Sequence, residues 1–335
     1  MGASVAVETS VPCASERTDA AFVRRRRSSA TRNFSLSSAR RRVVSRAADA
    51  SGRAVESSSS SSFSSSASGV AFTFRAHEAS TREALARRCG AASAVETTTK
   101  TNERLGVTTT TDVWRTPRLR RVRSTYVDGG EAAQIFNLVA YPEPSAPDAP
   151  LLGVDLICVG KGNARKILIG VDLQPMCRDM DYASAYVPDL LAVVGAGGRA
   201  STAAAKLNAT TPSNKFYEDA EFFSRGMFFA RPESASEDVM RCSLDVVEAY
   251  VDVWLARLDE AEREAEAMDG ACKFGLALED VRRCVLTEET ARAAQDAHDA
   301  WQLTHDPAIP MFASWYGEDW AREFAETVLF PGAKA

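Results

Sequence analysis

The feature that most constrains the fold is a series of short strand-like runs with no long helix between them. The runs cover residues 118–127, 134–141, 151–159 and 166–173, and the segment 216–231 adds one or two more. Their β-branched and aromatic residues are typical of strands. Because neighbouring strands without helical crossovers pair as hairpins, the sequence predicts a mainly antiparallel sheet.

Helical patterns flank this block on both sides. Residues 71–112 are partly helical, best at 83–88, and then run into a threonine-rich connector, so that the β-block begins near Trp114. Apolar residues from Leu244 to Leu258 recur at spacings of three and four, which predicts an amphipathic helix. Two more helices are expected at 288–303 and 318–329, and 194–214 is expected to be a mobile loop. The predicted fold class is α/β: an α/β/α sandwich with a mainly antiparallel central sheet and helices on both faces.

The N-terminal residues differ from the rest in composition. Residues 1–70 contain eleven arginines and five acidic residues, and they include a nearly pure serine tract. Arginine- and serine-rich leaders without a continuous apolar segment are typical of organellar transit peptides. We expect 1–68 to be a transit peptide and disordered serine-rich linker for import into the chloroplast stroma, and 69–335 to be one domain. A disordered basic tail that stays attached is the alternative.

Composition also excludes several classes of function. The chain has a net charge of −5, so the part beyond residue 70 is net negative, which disfavours nonspecific nucleic-acid binding. No run approaches the roughly 18–20 apolar residues of a membrane span. Seven scattered cysteines without a CxxC pair, and three histidines, disfavour an iron–sulfur cluster or zinc site. Any redox chemistry is therefore expected to proceed without a protein-bound metal.

Two strands in the middle of the block place polar residues where chemistry could occur. The runs that end at Tyr141 and begin at Leu151 are joined by a proline-rich loop. If the register is symmetric about residue 146, Asn137 lies opposite Asp155 with Cβ atoms about 5 Å apart. Their neighbours on that face are apolar: Ile135, Val139 and Ile157.

A carboxyl group in such apolar surroundings loses hydration, which raises its pKa above the usual value of about 3.9. An aspartic acid that keeps its proton at neutral pH suits a reaction in which electrons arrive first and protons follow. The same spacing also fits a purely structural hydrogen bond between Asn137 and Asp155, or the capping of a neighbouring loop. A slip of one residue in register would separate the pair.

Several blocks of sequence resemble the ferredoxin-dependent bilin reductases. In order along the chain they are RRVRSTYVDGGEAAQIFNLVAYPEP, LLGVDLICVGKG, GVDLQPM, EFFSRGMFFARPE and THDPAIPMFASWYGEDWAREFAETVLFPG. The resemblance runs from about 114 to 332, with interruptions near 195–210 and 268–286. It implies an α/β/α sandwich that binds an open-chain tetrapyrrole between the sheet and the C-terminal helices. No bound metal or flavin is implied; single electrons come from ferredoxin through a bilin radical, and protons come from side chains and water.

The resemblance also implies roles for individual residues. Asp155 would protonate the one-electron-reduced bilin near its central pyrroles, and Asp306 would deliver a second proton near the C15 bridge. Asn137 would orient a lactam or pyrrole group by hydrogen bonding. The asparagine at position 137 resembles the residue found there in family members that reduce biliverdin IXα at the C15–C16 double bond. Thr125 or Tyr126 lies where a vinyl-reducing member has a glutamate. From the sequence alone, Asp306 equally fits a cap for the turn before Pro307.

Basic residues are expected at two kinds of contact. Lys215 and Arg225 are candidates for binding the bilin propionates. Ferredoxin, an acidic partner, is expected to dock on a basic patch formed by Arg118, Arg120, Arg121, Arg123, Lys161, Arg165 and Lys166. A downstream bilin reductase is a further possible partner. Reduction with a different regiochemistry, including four-electron reduction, and a non-catalytic bilin carrier remain alternative functions.

Overall fold

The computed structural model describes residues 72–212, 216–274 and 284–334. All of them belong to one compact unit, Ser66–Ala335. The predicted leader, residues 1–68, lies outside the described residues.

The described part of the chain begins with one helix, continues with six strands, and then has three short helices, a seventh strand and four more helices. The strands are β1 (Glu96–Asn102), β2 (Val107–Thr116), β3 (Leu119–Asp128), β4 (Ala133–Pro142), β5 (Leu151–Val159), β6 (Lys166–Gln174) and β7 (Phe228–Ala230). The helices are α1 (Arg75–Cys89), α2 (Met180–Ser184), α3 (Val187–Val194), α4 (Ser201–Lys206), α5 (Glu237–Phe274), α6 (Glu288–His305), α7 (Ala308–Tyr316) and α8 (Glu318–Phe324). A π-helical turn, Ala325–Leu329, continues α8.

The strands form one antiparallel sheet in the order of the chain, β1 to β7. Each strand pairs with the next through a short connection, except that β6 and β7 are separated by α2–α4 and an irregular segment. In the hairpin of β4 and β5, Asn137 pairs with Asp155 and Ile135 with Ile157. The predicted symmetric register is therefore confirmed, and it fixes which side chains share a face.

Helices cover both faces of the sheet. One face packs on α1, α3, α4 and α5 through the largest apolar cluster of the described residues. Trp254 of α5 is fully buried there and donates its indole N–H to the carbonyl oxygen of Pro150 at 2.8 Å. The other face packs on α7 and α8 through Val127, Ile135 and Phe312. The predicted α/β/α sandwich is confirmed.

Two local predictions are wrong, and a third is confirmed. The threonine-rich segment is not a connector, because it forms β1 and most of β2. Threonine is β-branched and is therefore well suited to a strand. The segment 194–214 is not simply a mobile loop, because α4 lies within it and Ala203 and Ala204 pack into the core. The segment 216–231 provides one strand, β7, of three residues, which confirms the prediction of one or two strands there. Within the described part of the chain, no helix has the length and apolar character that a membrane crossing requires.

Candidate active site

A cavity of about 220 Å³ lies between the sheet and the helical layer of α6 and α7. Its floor is a row of paired residues across β3 to β6: Thr125, Asn137, Asp155 and Gly170. Gly170 keeps this end of the row free of a side chain, and a Cβ at this position would crowd the side chain of Met227 at 3.2 Å. Apolar residues, including Ile135, Val139 and Ile157, complete most of this floor.

A chain of hydrogen bonds orders the polar groups on the floor. The buried guanidinium of Arg123 donates to the Oδ1 atom of Asn137 at 2.8 Å, and Nδ2 of Asn137 donates to Oδ1 of Asp155 at 3.3 Å. The hydroxyl of Tyr217 donates to the other oxygen of Asp155. Because arginine can only donate, Arg123 fixes the orientation of the Asn137 amide and turns its NH₂ group toward the carboxyl.

Asp155 has a raised pKa in this setting. Burial is the main cause, and the hydrogen bonds from Tyr217 and Asn137 and the charge of Arg123 act in the opposite direction. Desolvation therefore outweighs the donors, and the protonated form of the carboxyl is favoured relative to an exposed aspartate. This is the behaviour that the sequence predicted for this position.

Asp306 reaches the same cavity from the helical layer. It lies between α6 and α7, and its Oδ1 accepts the backbone N–H of Ala308 at 2.7 Å. Burial raises its pKa to about 6, with a smaller contribution from the charge of Asp155. Asp306 thus caps the turn at Pro307 and also faces the cavity. Its structural role in the turn is therefore compatible with a role as a proton donor.

A third carboxyl group in the cavity was not predicted. Asp172 repeats the GVDL motif of Asp155, and the register pairs Gly153 with Asp172 and Asp155 with Gly170. Both aspartates therefore lie on one face of the sheet, roughly 7 Å apart as diagonal neighbours. Burial raises the pKa of Asp172 to about 6. The repeated motif was the sequence signal that could have identified it.

Asp172 also holds the segment that carries Tyr217. Its two oxygens accept the backbone N–H of Ser224 at 2.7 Å and the Ser224 hydroxyl at 2.5 Å. The same segment supplies Phe223, whose ring packs 5.3 Å from that of Tyr217. No pattern in the sequence linked Tyr217 to Asp155, since the contact joins residues 62 positions apart.

The predicted ferredoxin-docking cluster on β3 is wrong. Arg118 is bound by Asp259 and Glu262 of α5, each at 2.7 Å, and Arg123 is buried at the cavity. Arg120 and Arg121 are also mostly buried. The side chain of Arg120 is 14% exposed, and Arg121 as a whole residue is 9% exposed. Lys161 and Lys166 are exposed and Arg165 is half-buried. The exposed part of the predicted patch is therefore the turn between β5 and β6.

The remaining predicted positions have mixed outcomes. Thr125 lines the cavity, whereas Tyr126 points to the opposite face and donates to Gln134 at 2.6 Å. Arg225 is exposed and is not part of the cavity lining. Lys215 lies outside the described residues.

Comparison with known proteins is consistent with this architecture. Residues 81–331 match the family model of the ferredoxin-dependent bilin reductases. A 15,16-dihydrobiliverdin:ferredoxin oxidoreductase from Gloeobacter violaceus is 33% identical over 217 residues, covering 64% of this chain and 75% of its own length. The protein of the same name from Nostoc punctiforme is 31% identical, covering 66% of this chain and 77% of its own length.

A solved structure shows the same fold. It is phytochromobilin synthase from tomato in complex with biliverdin, with a TM-score of 0.57 and 16% identity. The match covers 78% of this chain and 84% of the tomato chain. At this identity the likeness establishes the fold, and the family assignment rests on the sequence matches. The chain belongs to the ferredoxin-dependent bilin reductases, oxidoreductases that act on CH–CH groups with ferredoxin as the electron donor.

Proposed function

We propose that this protein reduces biliverdin IXα at the C15–C16 double bond to 15,16-dihydrobiliverdin. Two electrons come from reduced ferredoxin, one at a time, and two protons come from the protein. The observation that carries the proposal is the placement of Asp155 and Asp306 on opposite walls of one apolar cavity, both with raised pKa values. The relatives from Gloeobacter and Nostoc, which carry the name of this activity, support the same assignment.

The order of events follows from the charges. The first electron makes the bilin a radical anion, which is a strong base in an apolar cavity, and Asp155 gives it a proton. The second electron and a proton from Asp306 then saturate the C15–C16 bond. Each carboxylate left behind is reprotonated from solvent. The net reaction is that biliverdin, two electrons and two protons give 15,16-dihydrobiliverdin. Asn137 cannot supply a proton as an acid does; it orients the substrate and Asp155 by hydrogen bonding.

The direct test is an anaerobic incubation of the full chain with biliverdin, ferredoxin and a system that reduces ferredoxin. We expect one two-electron product, identified by absorbance and chromatography against authentic 15,16-dihydrobiliverdin. A different product would support a phytochromobilin synthase or a four-electron reductase, which are the alternative regiochemistries. Binding without any reduction would support a bilin carrier and contradict the proposal.

Removal of the Tyr217 hydroxyl is expected to change the pH dependence of the reaction. The hydrogen bond from Tyr217 lowers the pKa of Asp155, so Tyr217→Phe raises that pKa further. Because the protonated form is the donor, the alkaline limb of the first protonation step, measured in a single turnover by absorbance, moves to higher pH. The maximal rate falls by about tenfold, since a weaker acid donates more slowly.

The control for this variant is Tyr316→Phe, which removes a hydroxyl that contacts Thr109 at 2.9 Å. It is expected to leave the position of the alkaline limb unchanged. An unshifted limb in Tyr217→Phe would show that Tyr217 does not act on Asp155.

Reversal of the exposed charges between β5 and β6 is expected to weaken the reaction with ferredoxin. The double variant Lys161→Glu/Lys166→Glu should lower the ferredoxin-dependent rate at low salt by about tenfold, because charge steering raises association rates by roughly 10–1,000-fold. The wild-type rate should decline as salt shortens the screening length toward about 8 Å. Lys206→Glu, at the exposed end of α4, is the matched control. A rate that does not respond to salt would contradict docking at this turn.

The leader and a downstream enzyme belong to the proposal as well. The composition of residues 1–68 supports import into the chloroplast stroma. A fusion of these residues to a fluorescent protein should be taken up and cleaved by isolated chloroplasts, and uptake by mitochondria alone would contradict this.

A downstream bilin reductase would take up the dihydrobiliverdin, and a coupled assay should show transfer without release of free product.

A further inference from the structure

A second cavity of about 590 Å³ lies on the same side of the sheet, toward the hairpin turn of β2 and β3. It is lined by four arginines: Arg115, Arg120, Arg121 and Arg292. Val328 and Gly332, from the segment after α8, form part of its opposite wall. None of these residues takes part in the chemistry proposed above.

A β-bulge brings the arginines of the hairpin together. Trp114 pairs with Val122 and Thr116 with Leu119, so that Arg120 and Arg121 together lie opposite one residue of β2, Arg115. In a regular strand, consecutive side chains point to opposite faces. The extra residue re-aims one of them, and both guanidinium groups approach the ring of Tyr141, at 5.4 and 5.6 Å from its centroid.

The positive charge of this cavity is only partly neutralised. One carboxylate, Asp296, lies 3.5 Å from Arg120 and 3.1 Å from Arg292 and serves both. Arg121 donates to the carbonyl oxygens of Val328 and Leu329, which carry no full charge. Glu96 lies at the cavity wall, and the charge of Asp299 acts on both Arg120 and Arg121, so that four arginines face three acidic residues.

Arg120 is also incompletely hydrogen-bonded. Its Nε and Nη2 atoms are buried without a hydrogen-bond partner among the described residues. Its pKa is lowered by burial and then by the charge of Arg292. Arg115 and Arg292, which line the same cavity, are exposed and can contact an anion directly, because the planar guanidinium fork matches the oxygen pairs of phosphate and carboxylate.

We propose that this cavity binds a small phosphate-bearing molecule. The arginines still exceed the nearby carboxylates by one charge, and the volume accepts more than a single phosphate group. The bound anion would brace the segment from Thr327 to Gly332. That segment includes Leu329, which lines the first cavity, so that the anion site shares a wall with the reductase site.

The experiment uses the full chain with inorganic diphosphate at constant ionic strength, and calorimetry and thermal melting as readouts. We expect saturable binding and a higher melting temperature, as for any ligand that binds the folded state only. Succinate is the comparison probe, because it carries two charges without phosphate. Equal binding of succinate and diphosphate would overturn the phosphate assignment, and no binding of either would overturn the site.

The variants separate this cavity from other basic surfaces. Arg120→Gln should weaken diphosphate binding by at least tenfold. Arg115→Gln, which changes an exposed side chain, should weaken it severalfold and serves if Arg120→Gln does not fold. Arg199→Gln, at an exposed ion pair with Asp252, should leave the affinity unchanged. A loss of affinity equal to that of Arg120→Gln in this control would contradict the assignment.

A competition experiment tests whether the site is separate from the first cavity. Because the two cavities share a wall, saturating biliverdin is allowed to alter the diphosphate affinity but should not displace diphosphate. Mutual exclusion would make the arginine cavity an extension of the bilin site and overturn a separate one. Diphosphate binding does not require turnover, so failure of the proposed reduction and failure of this site are distinguishable.

Discussion

Asp155→Asn is expected to bind biliverdin with nearly the wild-type affinity and to lose its turnover by about 100- to 10,000-fold, the usual contribution of a positioned general acid. Asparagine has the same shape, and its amide oxygen can still accept from Tyr217 or Asn137. It has no acidic proton to give. The measurement is a single-turnover reduction followed by absorbance, together with a titration of bilin binding.

The expected intermediate makes this variant informative. If the first electron arrives without its proton, the bilin radical accumulates, and electron paramagnetic resonance should detect it. Asp189→Asn, an exposed acid on α3, is the matched control and should reduce biliverdin at the wild-type rate. A fully active Asp155→Asn enzyme would remove Asp155 from the mechanism as proton donor.

Asp306→Asn is expected to stop the reaction one step later. Its amide oxygen can still accept the backbone N–H of Ala308, so the turn before α7 is preserved. The second protonation should slow by about 100-fold or more. A partly reduced bilin should therefore accumulate, and its spectrum should differ from that of the radical trapped in Asp155→Asn.

The pH dependence provides a second measurement on Asp306. The pKa of this carboxyl is about 6 in the free protein, and its protonated form is the donor. The value of kcat/KM should therefore fall as pH rises through about 6, and this limb should be missing in Asp306→Asn. Asp319→Asn, at an exposed acid of α8, should retain the limb. If Asp306→Asn kept the wild-type profile, its role would be limited to the turn contact.

Much of the site could be predicted because its floor is a local structure. The loop between β4 and β5 closes a hairpin, and the symmetry of a hairpin determines which residues pair. Asn137 and Asp155 therefore came together from the sequence alone, and the apolar neighbours predicted the raised pKa. The helices were predicted for the same reason, since α5 and α6 show their periodicity within a few turns.

The threonine-rich strands show where local patterns fail. Threonine suits both loops and strands, and β1 is largely exposed, so no alternation of apolar residues marked it. Its strand form is decided by pairing with β2, which in turn pairs with β3. Pairing with a neighbouring strand thus determined that this segment is a strand, whereas its composition fitted a loop equally well.

The sequence by itself determined the central hairpin, the main helices and the resemblance that led to the family, because each depends on residues close together in the chain. Only the tertiary structure decided which charged groups meet. It buried Arg123 beneath Asn137, brought Tyr217 to Asp155, and placed the bulge arginines at a second cavity. The physical reason is that an arginine or tyrosine has the same local pattern whether it is exposed or buried. Its environment comes from elements distant in the chain, and that environment determines its chemistry.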